Sequence, residues 1–154
     1  MRIFFSCFLL FFLCSCYTTG ISTQTTSLCD YKIENNKEVK EIISINRGAC
    51  FGTCPIYFIS ISSDMSGVYH GKNFVEKTGK IEFKLLEEEM NSILQKANEI
   101  NYCQLEDEYF EHISDLPRTY VQIFDKKILD YYGAPKELKE LEELIDKICF
   151  KYIK

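Results

Sequence analysis

Two cysteines four residues apart are the clearest candidates for chemistry in this sequence. Cys50 and Cys54 enclose Phe51-Gly52-Thr53, and Gly52 could adopt the positive φ of a tight turn that brings the two sulfurs together. Such a pair can form a structural disulfide, cycle between dithiol and disulfide, or supply two ligands to a metal ion. The surrounding residues help to separate these possibilities.

The neighbours of the pair favour a structural disulfide. Structural zinc sites normally use two close ligand pairs, whereas His70 and His112 stand alone. A reactive thiolate is normally stabilised by a helix N-terminus or a nearby cation. Cys54 is followed by Pro55 and a predicted strand, although Arg47 could supply positive charge. We therefore predict a disulfide, keep thiol redox chemistry, metal binding and unpaired thiols as alternatives in that order, and assign no metal or cofactor site.

Two further cysteines could form a second disulfide. A Cys103–Cys149 bond would close a much longer loop than Cys50–Cys54, and loop-closure entropy assigns it about 4 rather than about 2 kcal/mol. It would tie the end of one predicted helix to the last helix. Cys29 would then be left over, either free or paired with another molecule.

An acidic stretch follows the first predicted helix. Carboxylates beside a histidine can perform acid–base catalysis or bind Ca²⁺, but a solvated acidic loop is a far commoner arrangement, and we expect one here. Asp115, before Leu116-Pro117, suits an Asx-turn. The sequence contains no nucleophile elbow, zinc-protease, phosphate-loop or dinucleotide-binding motif, so we predict no catalytic residue. The acidic stretch comprises Glu106, Asp107, Glu108, Glu111, His112 and Asp115.

The overall charge argues against a nucleic-acid partner. The 154 residues include 18 Lys and Arg against 23 Asp and Glu, a formal net charge of −5. Nucleic-acid binding depends on neutralising phosphates with basic side chains. We therefore expect no nucleic-acid partner.

The N-terminus indicates the compartment in which the chain resides. Ile3–Leu13 is an apolar run too short to span a bilayer, and Leu13-Cys14-Ser15-Cys16 resembles the lipobox of bacterial lipoproteins. Residues 1–15 would be a removed signal peptide. By that resemblance Cys16 would carry diacylglycerol and an acyl chain such as palmitate, which would anchor the protein stably. We predict a cell-envelope lipoprotein at the outer membrane, on its periplasmic or surface face.

The residues after the anchor divide into a tether and one domain. Residues 16–37 are rich in Thr and Ser and lack an apolar period, which is typical of a flexible tether. The domain spans 38–154. Its changing apolar periods predict strands, a helix, strands and a second helix. The predicted strands are Val39–Asn46, Pro55–Ser62, Val68–Gly71, one or two within Phe74–Phe83, Thr119–Phe124 and Ile128–Tyr132, and the helices run from Leu85 to Ile100 and from Pro135 to Cys149.

This order predicts an α+β domain. Two hairpin groups would form an antiparallel sheet with both helices packed on one face. Five tyrosines fall on the predicted strands, and the alternation of a strand would place some of them on the opposite face. Exposed tyrosines could recognise a protein or glycan partner. These tyrosines are Tyr57, Tyr69, Tyr120, Tyr131 and Tyr132.

The run Cys50-Phe51-Gly52-Thr53-Cys54-Pro55-Ile56-Tyr57, together with Asp115-Leu116-Pro117 and Tyr132-Gly133-Ala134-Pro135, resembles a known family. It is the DUF6438 family, which is common in lipoproteins of Bacteroidetes and has no established activity. The resemblance covers roughly residues 38–151 and supports the envelope address. It singles out the candidate motif positions Arg47, Gly52, Pro55, Tyr57, Asp115, Pro117, Gly133 and Pro135.

The sequence therefore predicts a non-catalytic envelope lipoprotein. It would be a binding or interaction module for an unidentified envelope protein or glycan, attached to the membrane through Cys16. The alternative is a thiol–disulfide redox protein that uses Cys50 and Cys54.

Overall fold

A computed structural model describes residues 39–113 and 115–154. The predicted signal peptide and tether, with Cys16 and Cys29, lie outside these residues. The strands are β1 (Glu41–Arg47), β2 (Ile56–Ser62), β3 (Ser66–Asn73), β4 (Gly79–Lys84), β5 (Glu108–Tyr109), β6 (Thr119–Ile123) and β7 (Lys126–Asp130). The helices are α1 (Glu87–Glu99) and α2 (Lys136–Cys149), with a short 3-10 helix at Tyr102–Gln104.

The seven strands form one sheet in the order β4-β3-β2-β1-β6-β7-β5. Every neighbouring pair is antiparallel except β5 and β7. The central strand β1 joins the two hairpin groups, because Ile45 is the register partner of both Ile59 and Val121. The predicted α+β class and the order of strands and helices are confirmed.

One core lies between the sheet and the two helices. In β2 the alternate residues Tyr57, Ile59 and Ile61 are buried, as the two-residue period of a strand requires. From α2, Leu138, Leu141, Ile145 and Ile148 are buried against them. Burying each such aliphatic side chain contributes about 1.5–3 kcal/mol. None of the helices in the described part of the chain is long and apolar enough to cross a membrane.

Helix α2 crosses the strands of the sheet. Going along the helix and the residues just after it, the contacts are Lys139–Asp130, Glu142–Arg47, Phe150–Tyr57 and Phe150–Tyr69. These contacts reach β7, β1, β2 and β3 in turn. The strand residues involved are close in register, since Arg47 is the partner of Tyr57 and of Thr119, and Thr119 is the partner of Asp130. The helix therefore covers one row of residues across the sheet.

That row lies at one end of the sheet. Strands β1, β3, β5 and β7 finish there, and β2, β4 and β6 begin there. The connecting segments 48–55, 74–78, 110–118 and 131–135 consequently lie at the same end, which we call the loop end. Strand β1 starts at the opposite end, at Glu41.

The structure corrects three local expectations. Strand β4 begins only at Gly79, which has a φ of +89°. Residues 74–78, expected to form a strand, are therefore a loop. Pro135 caps α2 instead of forming its first turn. Gly52 is not among the described glycines with positive φ, which are Gly79 and Gly133, so the positive φ expected at Gly52 is wrong, although the two sulfurs do meet.

The expected tyrosine-rich outer face of the sheet is also wrong. Tyr57 and Tyr69 are buried on the helix side, because they share the face of Ile59 and Ile61. Tyr131 is buried and Tyr132 is exposed beyond the end of β7. Tyr120, the register partner of Asn46, lies on the open face. One tyrosine of the five does not make a tyrosine platform.

Candidate functional site

The eight motif positions lie at or beside the loop end. Gly52 and Pro55 belong to the segment between β1 and β2, and Asp115 and Pro117 belong to the segment before β6. Gly133 follows β7 with a φ of +82°, a conformation that glycine adopts without strain. Arg47, Tyr57 and Pro135 lie on the row beneath α2 or at the start of that helix.

A cleft of about 400 Å³ opens beside α2 at this end. Its exposed rim includes Leu116, Pro117 and Tyr132, and its buried residues include Asp130 and Glu142. Two separate loops, three strands and helix α2 thus form one concavity, which the sequence alone did not indicate.

Arg47 organises the polar side of the cleft. Its Nη1 donates to Thr119 Oγ1 at 2.9 Å and to Glu142 Oε2 at 2.6 Å, and its Nη2 donates to Asp146 Oδ2 at 2.6 Å. Hydrogen bonds between charged groups are stronger than neutral ones. The guanidinium therefore ties β1 to β6 and to two successive turns of α2.

The buried acids outnumber the bases that pair with them. Asp130 has a partner in Lys139 at 3.3 Å, but the Lys139 side chain is 51% exposed. The Asp130 and Glu142 side chains are only 7% and 4% exposed. In the described part of the molecule, Asp130 Oδ1, Glu142 Oε1 and Asp146 Oδ1 are buried without a hydrogen-bond partner. Buried carboxylates of this kind call for a proton or a cation.

The proton affinities follow from this shortage of cations. The pKa of Glu142 is raised to about 7. Burial is the main cause, the charge of Asp130 adds to it, and Arg47 opposes both. Burial acts to lower the pKa of Arg47, but the charges of Asp146 and Glu142 outweigh it and raise that pKa. Burial, together with the charge of Asp146, raises the pKa of the Tyr57 phenol. Glu142 is therefore a site of proton exchange near neutral pH.

The predicted Cys50–Cys54 disulfide is present, with Cα atoms 5.8 Å apart. Its loop is fixed to the neighbouring segment, because Gly48 N–H donates to the Arg118 carbonyl at 2.7 Å. Phe51, between the two cysteines, is 90% exposed. The disulfide thus closes a short loop that carries the solvent-exposed side chain of Phe51.

The predicted Cys103–Cys149 disulfide is wrong. Cys149 is a free thiol buried on the apolar stripe of α2, and burial raises its pKa to about 12. Cys103 is itself disulfide-bonded. It follows Tyr102, whose hydroxyl donates to the Val121 carbonyl beneath the 3-10 helix, whereas Cys149 lies at the far end of α2.

The acidic stretch forms an exposed edge of the molecule. Lys126 donates to the Leu105 carbonyl at 2.7 Å and pairs with Asp107, while Glu106 and Glu111 face solvent. Over residues 39–113 and 115–154 no cluster of His, Cys, Asp or Glu could hold a metal ion. The Asp115 carbonyl accepts a hydrogen bond from Phe51 N–H at 3.4 Å, which links this segment to the disulfide loop.

Exposed apolar side chains are concentrated at the loop end. Of nine large exposed hydrophobic residues in the described chain, two, Val39 and Leu86, lie elsewhere. The other seven surround the cleft and the disulfide loop or lie beside them. They are Phe51, Phe74, Phe110, Ile113, Leu116, Tyr132 and Phe150.

Sequence reasoning missed the acids of the cleft. Glu142 interrupts the apolar stripe of α2 between Leu141 and Ile145, and Asp146 follows it by one turn. An acidic residue on a buried helix face needs a partner, and that signal could have indicated an ion pair. It could not have indicated Arg47 as the partner.

One comparison with known proteins found a match. A family described as "Domain of unknown function (DUF6438)" matches residues 41–149. No curated protein matches the chain.

Proposed function

Because the chain belongs to the DUF6438 family, whose description gives no activity, we propose a function from the loop end itself. The protein is a non-catalytic binding module of the bacterial cell envelope, held by lipid on Cys16, and it docks an envelope partner on its loop end. The gathering of seven exposed apolar side chains at that end carries the proposal. Contiguous exposed apolar surface commonly marks an interaction site.

The loop end is held rigid before any partner arrives. The disulfide closes the loop at 48–55. The Tyr131 hydroxyl donates to the Ile113 carbonyl and so joins the loop at 131–135 to the loop at 110–118. The Tyr131 ring stacks on Phe110 with centroids 5.2 Å apart. A preorganised surface loses less conformational entropy on binding, so these restraints favour docking.

The position of β1 suits a lipid anchor. The proposed anchor at Cys16 precedes β1, and β1 starts at the end of the sheet opposite the loop end. A chain attached there through the flexible tether would leave the loop end clear of the attachment point. The exposed apolar residues would then be accessible to a partner in the envelope space.

Crosslinking and affinity capture from intact cells test the docking surface. A variant with Phe51→Ser, Leu116→Ser and Tyr132→Ser should lose the captured partner, because the apolar contact is removed. The matched control is Val39→Ser with Leu86→Ser, which removes exposed apolar side chains elsewhere and should retain it. Equal capture by the two variants would exclude the loop end as the docking surface.

Metabolic labelling with a lipid precursor tests the anchor. Label and membrane association should be lost in Cys16→Ala, because the thioether requires that sulfur. Equal labelling of wild type and variant would overturn the lipoprotein assignment.

A thiol–disulfide redox function is the second candidate, favoured by the exposed position of the Cys50–Cys54 loop. Its reduction potential decides between the two roles. A potential below about −300 mV is typical of a structural bond, and a markedly higher one supports redox cycling.

A further inference from the structure

The cleft beside α2 contains more buried negative charge than its own bases neutralise. Arg47 already donates hydrogen bonds to Thr119, Glu142 and Asp146. Among the described residues that line this cleft, Lys139 is the only other base, and it is half exposed. Glu143 adds a further acid to the lining. The surplus charge therefore favours a cationic ligand over an anionic one.

Two oxygens of this cleft have unused hydrogen-bonding capacity. Asp130 Oδ1 and Glu142 Oε1 accept no hydrogen bond within the described chain, and their side chains are more than nine-tenths buried. Leaving such a group unpaired costs free energy. A ligand with N–H donors would recover that cost, provided it displaces the Lys139 side chain that lies against Asp130.

The immediate surroundings already accommodate guanidinium groups. Arg47 shows that acids of α2 bind one in a planar fork, and the Arg118 guanidinium lies 5.0 Å from the ring centroid of Tyr131, which lines the cleft. Guanidinium stacks on aromatic rings and pairs with two carboxylates more effectively than ammonium does. Tyr132, which is 44% exposed on the rim, offers another ring.

We propose that the cleft receives an arginine side chain of the docked partner, with Asp130 and Glu142 pairing with its guanidinium and Tyr132 flanking it. This inference rests on the proposed binding function and specifies the partner's chemistry. In the complex the guanidinium takes the place of Lys139 as the partner of Asp130. The cleft thus selects a basic residue that is surrounded by apolar side chains.

Proton release accompanies this binding. Arg47 on β1, Asp130 on β7, Lys139 on α2 and Tyr102 on the 3-10 helix are the charged and titratable groups that interact with Glu142. Because Glu142 holds a proton for part of the time near pH 7 in the free protein, an incoming cation expels it. Affinity should therefore increase as the pH is raised through neutrality.

Nuclear magnetic resonance titration tests the proposal with a small probe, N-acetyl-arginine methylamide. Backbone amides of Thr119 and Gly133 should shift saturably. The citrulline analogue, which has the same shape but no charge, should produce no saturable shift. Absence of saturable shifts with arginine, equal shifts with citrulline, or binding of acetate in place of arginine would overturn the proposal.

Three variants sharpen the test. Asp130→Asn should weaken arginine binding by at least roughly tenfold, since an ion pair with a buried group is lost. Lys139→Gln should strengthen it several-fold, because the cation that competes for Asp130 is removed. Glu137→Gln removes one acidic charge, as Asp130→Asn does, but at a position of α2 that lies outside the cleft. It should have no effect on arginine binding. Unchanged affinity in Lys139→Gln, or equal weakening in Glu137→Gln, would contradict the site.

The outcomes separate the two proposals. If the loop-end variant loses its captured partner but arginine does not bind, the cleft assignment fails and the docking surface stands. If arginine binds in the cleft but the loop-end variant keeps its partner, the docking surface fails.

Discussion

At the scale of single residues, Arg47 holds the sheet to the helix layer. Replacing it with Met leaves Glu142 and Asp146 buried without a cation, and breaking a buried pair in this way costs about 3–5 kcal/mol. Urea denaturation at neutral pH should show this loss of unfolding free energy. Lys80→Met is the control, because its pair with Glu82 is exposed and such pairs contribute about 0–1 kcal/mol. Equal effects in the two variants would show that the Arg47 network contributes little.

The elevated pKa of Glu142 makes stability depend on pH. The folded protein retains a proton up to about pH 7 that the unfolded chain releases near its usual value of 4.5. Stability gained below that usual value is therefore lost as the pH rises through about 7. Since each pKa unit corresponds to about 1.4 kcal/mol, the loss is on the order of 3 kcal/mol.

Glu142→Gln removes this titration and should give a flatter stability profile. Wild type should lose unfolding free energy between about pH 4.5 and 7 relative to the variant, as measured by denaturation at several pH values. Parallel profiles for the two proteins would contradict the raised pKa.

The sequence could identify Arg47 but not its partners. Glu142 and Asp146 lie 95 and 99 residues further along the chain, and no local period connects positions so far apart. Their meeting depends on the direction in which α2 crosses β1. The incorrect Cys103–Cys149 pairing has the same origin, because matching two cysteines requires knowing which end of α2 lies near the 3-10 helix.

At the scale of elements, the disulfide loop stabilises the loop end more than the whole fold. Cys50→Ser with Cys54→Ser opens a loop of five residues, whose closure is worth about 2 kcal/mol. We expect that decrease in unfolding free energy and a broadening of amide signals confined to residues 48–55. Wild type under the same non-reducing conditions is the reference, because reductant would also open the disulfide of Cys103. Unfolding of the whole domain in the double variant would contradict this view.

Local sequence predicted the long elements and missed the short ones. The alternation of β2 and the apolar stripe of α2 are strong because each buries a continuous face. Strand β5 has two residues, and its short sequence carries no period. It exists because it pairs with β7, a long-range contact that a local pattern does not contain.

At the scale of the whole molecule, the residues after α2 join the helix to the far side of the domain. Phe150 packs edge-on against Tyr57 with centroids 5.3 Å apart, and Tyr152 stacks on Phe83 at 5.5 Å. Tyr152 and Lys151 also bind Glu89 of α1, at 2.5 and 2.9 Å. The last five residues thus connect both helices to β2 and β4.

Truncation after Cys149 should therefore lower the melting temperature strongly. Losing these aromatic and ionic contacts costs on the order of 2–4 kcal/mol, given that each aromatic pair adds about 0.5–1.5 kcal/mol beyond area burial. Thermal unfolding measures the change, and removal of Lys154 alone is the control. A truncated protein as stable as the control would show that α2 docks without its C-terminal residues.

The two edges of the sheet limit how copies of this protein can associate. On one side β5 offers only two residues, and on the other β4 carries Lys80, Glu82 and Lys84 in exposed positions. Short or charged edge strands prevent sheets from adding to one another strand by strand. Copies of this protein at high local concentration are thereby protected from growing into fibrils through the edges of their sheets.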